Sequence, residues 1–229
     1  MKLDTGKSAS VSDAVASRIT VRDFLPKPVD PDVLREIFEK ARRTPSGGNL
    51  QPWNVHVFTG EKLDDFRNEV VGKLMKGQSE QDTFPPYPAP LWEPQRSWRY
   101  KLGEDMYNLL DIPKDDKPAR MRQVGKNFLF FGAPVGIIIV GDKRLEVPQY
   151  YDIGIYLQTV MLLAREAGLH TAPQGAWRAF PDTAKKHTNH PDEHHVLVGM
   201  SLGYVNADAP VNSLYADRAE LDELVKFHK

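Results

Sequence analysis

Apolar residues recur along the chain with two periods, and each period predicts a different element. Val33, Leu34, Ile37, Phe38 and Ala41 keep the i, i+3, i+4 spacing of one helix face, which predicts an amphipathic helix over residues 31–43. Asp30 and Pro31 open it as an N-cap acceptor followed by a first-turn proline, and Pro45, Gly47 and Gly48 stop it. Val55 and Val57 alternate with polar neighbours and predict a strand over residues 53–58. Leu63, Phe66, Val70 and Leu74 then share one face of a helix over residues 62–76. Further helices are predicted over 11–16, 99–110 and 116–131, with short ones over 181–186 and 221–227. Two continuous apolar runs, 135–140 and 195–202, predict buried strands. A third strand begins at 169–171 and passes into a turn at 173–177. The helix over residues 150–167 is apolar almost all round, so it is buried by a large core or by a subunit interface. Many helices and few strands imply an α+β fold, a small sheet wrapped by helices, formed by one domain over residues 1–229.

One stretch breaks the pattern. From Phe84 to Pro94 the chain holds five prolines and three aromatic residues, more prolines than any regular element tolerates. It reads as a stiffened loop inserted at about residues 78–98, and loops of that length are commonly functional. Composition narrows the chemistry further. A formal net charge of -1 gives no reason to expect nucleic acid or an anionic membrane as a partner. An anion site must then be local, built from a few placed arginines. The absence of cysteine removes disulfides, thiolate metal sites and cysteine nucleophiles. With no secretory leader pattern and no run of about 18 apolar residues, a soluble cytoplasmic protein is expected.

Two short segments carry the candidate chemistry. In Ser17-Arg18-Ile19-Thr20-Val21-Arg22-Asp23-Phe24, an extended backbone puts Arg18, Thr20 and Arg22 on one face as an anion-binding comb. In Pro45-Ser46-Gly47-Gly48-Asn49-Leu50-Gln51-Pro52-Trp53, small residues and amides form a turn that lets backbone approach a planar ligand. No dinucleotide fingerprint, P-loop or nucleophile elbow is present. His187, His190, His194 and His195 cluster without metal-ligand spacing and read as a solvated loop, so no metal is expected. No acid, base or nucleophile stands out. A redox cofactor, which carries its own chemistry, suits such a site.

These segments, with Phe130-Phe131-Gly132-Ala133-Pro134-Val135-Gly136 and the run from Gly203-Tyr204 to Ala209-Pro210-Val211-Asn212, resemble the FMN-dependent nitroreductase family over residues 11–227. The resemblance is to the branch with an extended Pro-rich aromatic loop, which includes nitrobenzoate and nitroaromatic reductases. It implies a nitroreductase-like fold with a small mixed or antiparallel sheet, in an intertwined homodimer. It also implies bound FMN, NADH or NADPH as donor, and two-electron ping-pong reduction of small nitroaromatic substrates. By position, Arg18 and Thr20 are expected at the FMN phosphate and ribityl chain. Arg22 falls beside the ring edge where reduction places negative charge. Ser46, Gly47 and Asn49 reach in from the partner subunit, and Gln174 with Gly175 faces flavin N5. Asn127 is expected at the pyrimidine edge and Arg218 at the phosphate, while Tyr87, Trp92 and Trp98 line the substrate side. No catalytic side chain is expected, since the flavin does the chemistry. Enone or quinone reduction, dehalogenation and non-catalytic flavin binding remain the alternatives that such a scaffold leaves open.

Overall fold

In a computed structural model, residues 3–81, 85 and 87–229 are described. Helix α1 (Val11–Ser17) is capped by Ser10, whose hydroxyl accepts from the Asp13 N–H, and α2 (Pro31–Ala41) by Asp30, whose carboxylate accepts from Asp32. Strand β1 (Asn54–Thr59) runs into α3 (Gly60–Met75). After the Pro-rich stretch come α4 (Gln95–Leu109) and α5 (Lys117–Gly125), then β2 (Val135–Asp142) and α6 (Val147–Glu166). Strand β3 (His170–Gln174), α7 (Pro181–Thr188), β4 (His194–Gly203) and the short α8 (Leu221–Leu224) complete the regular elements. Among the described residues no helix is long and apolar enough to cross a membrane.

The four strands form one sheet in the order β1-β2-β4-β3, antiparallel throughout. The two apolar runs are its centre. Val135 to Val140 has no exposed side chain because both faces are covered. Ile138 and Val140 face one core with Phe66, Phe130 and Trp177, while Val135, Ile137 and Ile139 face another with Leu34, Ile37, Tyr156 and Val160. Alternation along one strand thus feeds two layers of helices, with α3 and α7 on one face and α2 and α6 on the other.

Several elements differ from the sequence pattern. The helix predicted over 116–131 stops at Gly125, and a 3₁₀ segment, Lys126–Gly132, replaces its second half. Phe130 and Phe131 there adopt left-handed backbone (φ 49° and 53°), sparsely populated by bulky residues. Burial holds them: Phe130 is fully buried and stacks on Trp177 with centroids 4.2 Å apart. Helix α4 begins at Gln95, so the Pro-rich loop ends earlier than expected and Trp98 is helical. Pro173 and Gln174, expected in a turn, finish β3. The tail helix is four residues long. The histidines are not in a solvated loop: His190 is buried, His187 meets Glu69 at 2.9 Å from the end of α7, and His194 and His195 begin β4. Their segment is short enough that the sheet and α7 draw it inward.

Gly199 lets the sheet position the chain beyond β3. A Cβ there would stand 2.2 Å from the Trp177 indole, so bare backbone lets that ring lie flat on β4. Gly199 pairs with Gln174, and Trp177 anchors the 3₁₀ segment Gly175–Ala179 that continues from it.

Candidate functional site

The comb lies along the open side of β3. Thr20 forms a single parallel bridge with Thr171, and the Val21 N–H donates to the Thr171 carbonyl at 3.2 Å. Val21 points into the core and is fully buried, while Arg18, Thr20 and Arg22 are only half-buried. This is the alternation of an extended segment, which bridges β3 at Thr20 and Val205 at Phe24. The far end is pinned twice. Phe24 N–H donates to the Phe131 carbonyl at 3.1 Å, and Arg22 N–H donates to Asn212 Oδ1 at 2.8 Å. Asn212 is buried and donates in turn to the carbonyls of Asp23 and Asn206, both at 2.8 Å.

Two cations meet at this edge, Arg18 and Arg218, and a third, Arg22, follows Thr20 on the same extended segment. The charge of Arg218 reaches Arg18, whose guanidinium is pushed below its usual pKa first by burial and then by that neighbouring charge. Arg22 is pushed down by burial, with the Tyr87 phenol acting in the opposite direction, and its Nη1 donates to the Thr20 carbonyl at 3.2 Å. Among the described residues Arg218 itself donates to the Ala216 and Asp217 carbonyls, at 2.8 and 2.9 Å. Among the described residues none of the three has a carboxylate partner. Cations that crowd together and stay unpaired fit an anion supplied by a ligand, and the adjoining residues fit a cofactor with a phosphate.

The Gln174–Gly175 turn is fixed from behind. Ser201 Oγ, fully buried, donates to Gln174 Oε1 at 2.7 Å, and Gln174 Nε2 donates to the Asn127 carbonyl at 2.7 Å. Asn127 Nδ2 donates to the Val124 carbonyl at 2.9 Å. The structure therefore joins Asn127 to Gln174 and commits its amide group to holding α5's end in place. The Gly175 carbonyl accepts from Arg178 Nε at 3.0 Å, and the same guanidinium reaches the Pro85 carbonyl at 3.4 Å.

The second sequence segment lies apart from the comb's hydrogen bonds. Gly47 N–H meets both oxygens of the buried Asp152 of α6 at 3.2 Å, and the Gln51 N–H donates to Ser46 Oγ at 2.9 Å. Gly47 and Asn49 are exposed and Ser46 is half-buried, and Asn49 has a left-handed backbone (φ 58°). Of the aromatic candidates, Tyr87 and Trp98 line one cavity of about 690 Å³ together with Arg218, whereas Trp92 is exposed outside it. Phe84 and Pro86 of the loop lie outside the described residues.

Sequence reasoning missed Asn212, Ser201, Arg178 and Asp152. Asn212 was visible within the Ala-Pro-Val-Asn run, but nothing local says that its amide caps a segment 190 residues away. The other three are single polar residues inside apolar patterns, where only burial reveals that they must be bonded.

The fold and this edge of cations belong to a known class. A model of the nitroreductase family matches residues 15–204, and the chain belongs to that family. Among characterised relatives it is 40% identical to a 4-nitrobenzoate reductase of Pseudomonas putida over 89% of each chain. It is 35% identical to a chloronitrobenzene nitroreductase of Comamonas testosteroni, covering 96% of this chain and 97% of the relative. Among solved structures, an FMN and NADPH-dependent nitroreductase from sphigopyxis sp. strain HMH superposes with a TM-score of 0.92 at 37% identity, covering 96% of this chain and 99% of that one. The FMN-dependent nitroreductase of Mycobacterium smegmatis, in complex with NADPH, superposes with a TM-score of 0.90 at 28% identity, over 95% and 97% of the two chains.

Proposed function

We propose that this chain is a single-domain, FMN-dependent NAD(P)H oxidoreductase that reduces nitroaromatic compounds by a two-electron ping-pong mechanism, as a cytoplasmic homodimer. The observation that carries this is the meeting of Arg18 and Arg218, drawn from opposite ends of the chain, with Arg22 on the same extended segment as Arg18 and no carboxylate among the described residues to neutralise any of the three. Relatives named for nitrobenzoate and chloronitrobenzene support the substrate class. FMN, when bound, supplies a two-electron carrier between a nicotinamide and a nitro group. Arg18, Thr20 and Arg218 would hold its phosphate and ribityl chain. Arg22, on the same face but more deeply buried, would lie toward the flavin ring, where a fixed guanidinium would favour negative charge. Gln174 and Gly175, immobilised by Ser201 and Arg178, shape the turn against the reacting edge.

The homodimer is supported by the outer face of α6, where Val147, Tyr151 and Ile155 are exposed in a row, with Leu50 of the neighbouring turn also exposed. That turn, anchored by Asp152, would carry Ser46, Gly47 and Asn49 to the cofactor of the second copy.

The test separates the comb's two tasks. In Arg18→Ala, FMN should dissociate at least tenfold more readily, measured by fluorescence titration of the stripped protein. In Arg22→Ala, FMN should stay bound while its midpoint potential falls and NAD(P)H-driven reduction slows. Equal effects of the two changes would refute the division of labour. A wild-type protein that takes up no FMN, or oxidises no NADH or NADPH with a nitroarene, would refute the function.

A further inference from the structure

The cavity beside the comb lies between α4 and the tail that carries Arg218 and Leu224. Tyr87, Leu91, Trp98, Leu102 and Leu224 give it apolar and aromatic walls. It adjoins the flavin-binding edge at two points, because Arg218 bears on Arg18 and Tyr87 bears on Arg22. Three cations border it: Lys101, Arg218 and Arg99.

Two of these cations are accounted for. Lys101 is neutralised by Asp105 at 2.7 Å and Asp217 at 2.8 Å. Arg218 belongs with Arg18 at the phosphate end. Arg99 is different. Its guanidinium lies over the Tyr87 ring, 4.3 Å from the centroid, and among the described residues it has no carboxylate partner. Nearby arginines do have one: Arg96 meets Glu93 at 2.6 Å, and Arg120 of α5 meets Glu104 at 2.7 Å. The cation–π contact with Tyr87 holds the guanidinium at the aromatic wall of the cavity, and no carboxylate among the described residues takes up its N–H groups. A neutral ring in this cavity gains at most an ordinary hydrogen bond from those N–H groups, without charge assistance. A ring bearing a carboxylate gains a charge-assisted, two-pronged contact.

Building on the nitroreductase reading, we propose that Arg99 is the specificity residue of the site and selects nitroaromatics that carry a ring carboxylate over neutral ones. Family membership does not decide this, because the relatives include both 4-nitrobenzoate reductases and chloronitrobenzene or nitrobenzene nitroreductases.

The test compares 4-nitrobenzoate with its neutral methyl ester, using the full-length FMN-loaded protein at saturating NADPH. Wild type should favour the acid at least tenfold in kcat/KM. Arg99→Gln should remove most of that preference by raising KM for the acid with little change in kcat, while the ester changes far less. Arg99→Lys, which keeps the charge and loses the fork, should recover part of it. Calorimetric titration gives a readout free of turnover: benzoate should bind Arg99→Gln about tenfold more weakly, with benzamide little affected.

Equal use of acid and ester by wild type, or a preference that survives Arg99→Gln, would overturn the proposal. So would a rise in KM for NADPH but not NADH in that variant, since Arg99 would then serve the phosphate of the donor. If no nitroarene were reduced at all, the nitroreductase reading would fall, and the benzoate and benzamide titrations would still decide the role of Arg99.

Discussion

The two sides of the site are held by opposite means. On the cofactor side, Arg22, Gln174 and Asn127 are fixed by hydrogen bonds that cross the chain: Asn212 to Arg22, Ser201 to Gln174, Gln174 to Asn127. On the substrate side, Tyr87, Trp98 and Arg99 are exposed and held by neighbours on the same loop or helix. A phosphate and a flavin ring present one fixed shape, so rigid long-range bonding suits them. Substrates vary, and a wall of exposed side chains on local supports can be altered without disturbing the sheet. If this contrast is real, disruption of the first side should cost stability and cofactor together. Changes to the second should alter selectivity alone.

Acid is the strongest way to disturb the sheet that carries the fixed side. Burial and the adjacent Arg165 charge hold His170, the first residue of β3, down to about 4, and burial with the His56 charge holds His190 down to about 4. Lys185, His194 and Lys143 also face His190 and push in the same direction, whereas Asp4 opposes the effect of Arg165 at His170. An exposed histidine protonates near 6.5, so the unfolded chain takes up these protons first as pH falls. Stability is therefore complete above about 6.5 and drains between 6.5 and 4, by roughly 3 kcal/mol per histidine at most. Urea midpoints measured from pH 7 to 4.5 should fall along this slope. The variant His170→Gln/His190→Gln should flatten it whatever its absolute stability. An unchanged slope would show that other groups control the acid response.

Asn212→Leu comes next in size. It deletes one accepted and two donated hydrogen bonds at a buried position, each worth about 1 kcal/mol net, and leaves partners unsatisfied. A loss of about 3 kcal/mol in denaturant unfolding is expected, with weaker FMN retention because Arg22 loses its backbone tether. Trp98→Ala on the substrate side should move stability by less than about 0.5 kcal/mol, as exposed positions generally do. Similar losses from both changes would erase the contrast between the sides.

The same contrast decides what could be read from the sequence. The strong periodic segments became α2, α3, β2 and α6 within a few residues, because hydrophobic period reports burial directly. The comb was legible because alternation is a local property: Val21 turned inward and Arg18, Thr20 and Arg22 did not. The end of α5 was not legible. Phe128, Phe130 and Phe131 continue an apolar pattern, yet Trp177 and Phe66 pull their rings into the core and force a left-handed backbone that no local signal announces. The histidine segment misled for a related reason. Its Pro, Asp and Asn content resembles a surface loop, but sheet pairing begins at His194 and carries it inward.

Arg178 is the point where the two sides meet, and it offers the finest probe of the comparison. Its buried guanidinium lies against the face of Gly175, where an added Cβ would sit 3.4 Å from Nη2. Nε donates to the Gly175 carbonyl on the cofactor side, and Nη1 reaches the Pro85 carbonyl at the base of the substrate loop. Arg178→Lys retains the charge but loses the planar fork whose separate nitrogens reach the Gly175 and Pro85 carbonyls, so the two contacts cannot both keep their geometry. The Gly175 contact is three residues away within the same 3₁₀ segment and the shorter of the two, so the Pro85 contact should be the one to fail. Arg178→Lys should then raise KM for the nitroarene severalfold while FMN affinity and kcat hold. Arg178→Ala, losing both tethers, should reduce kcat as well and lower kcat/KM about tenfold. If lysine and alanine behaved alike in KM, kcat and FMN affinity, the two sides would be mechanically independent, and Arg178 would serve only to fill the space beneath Gly175.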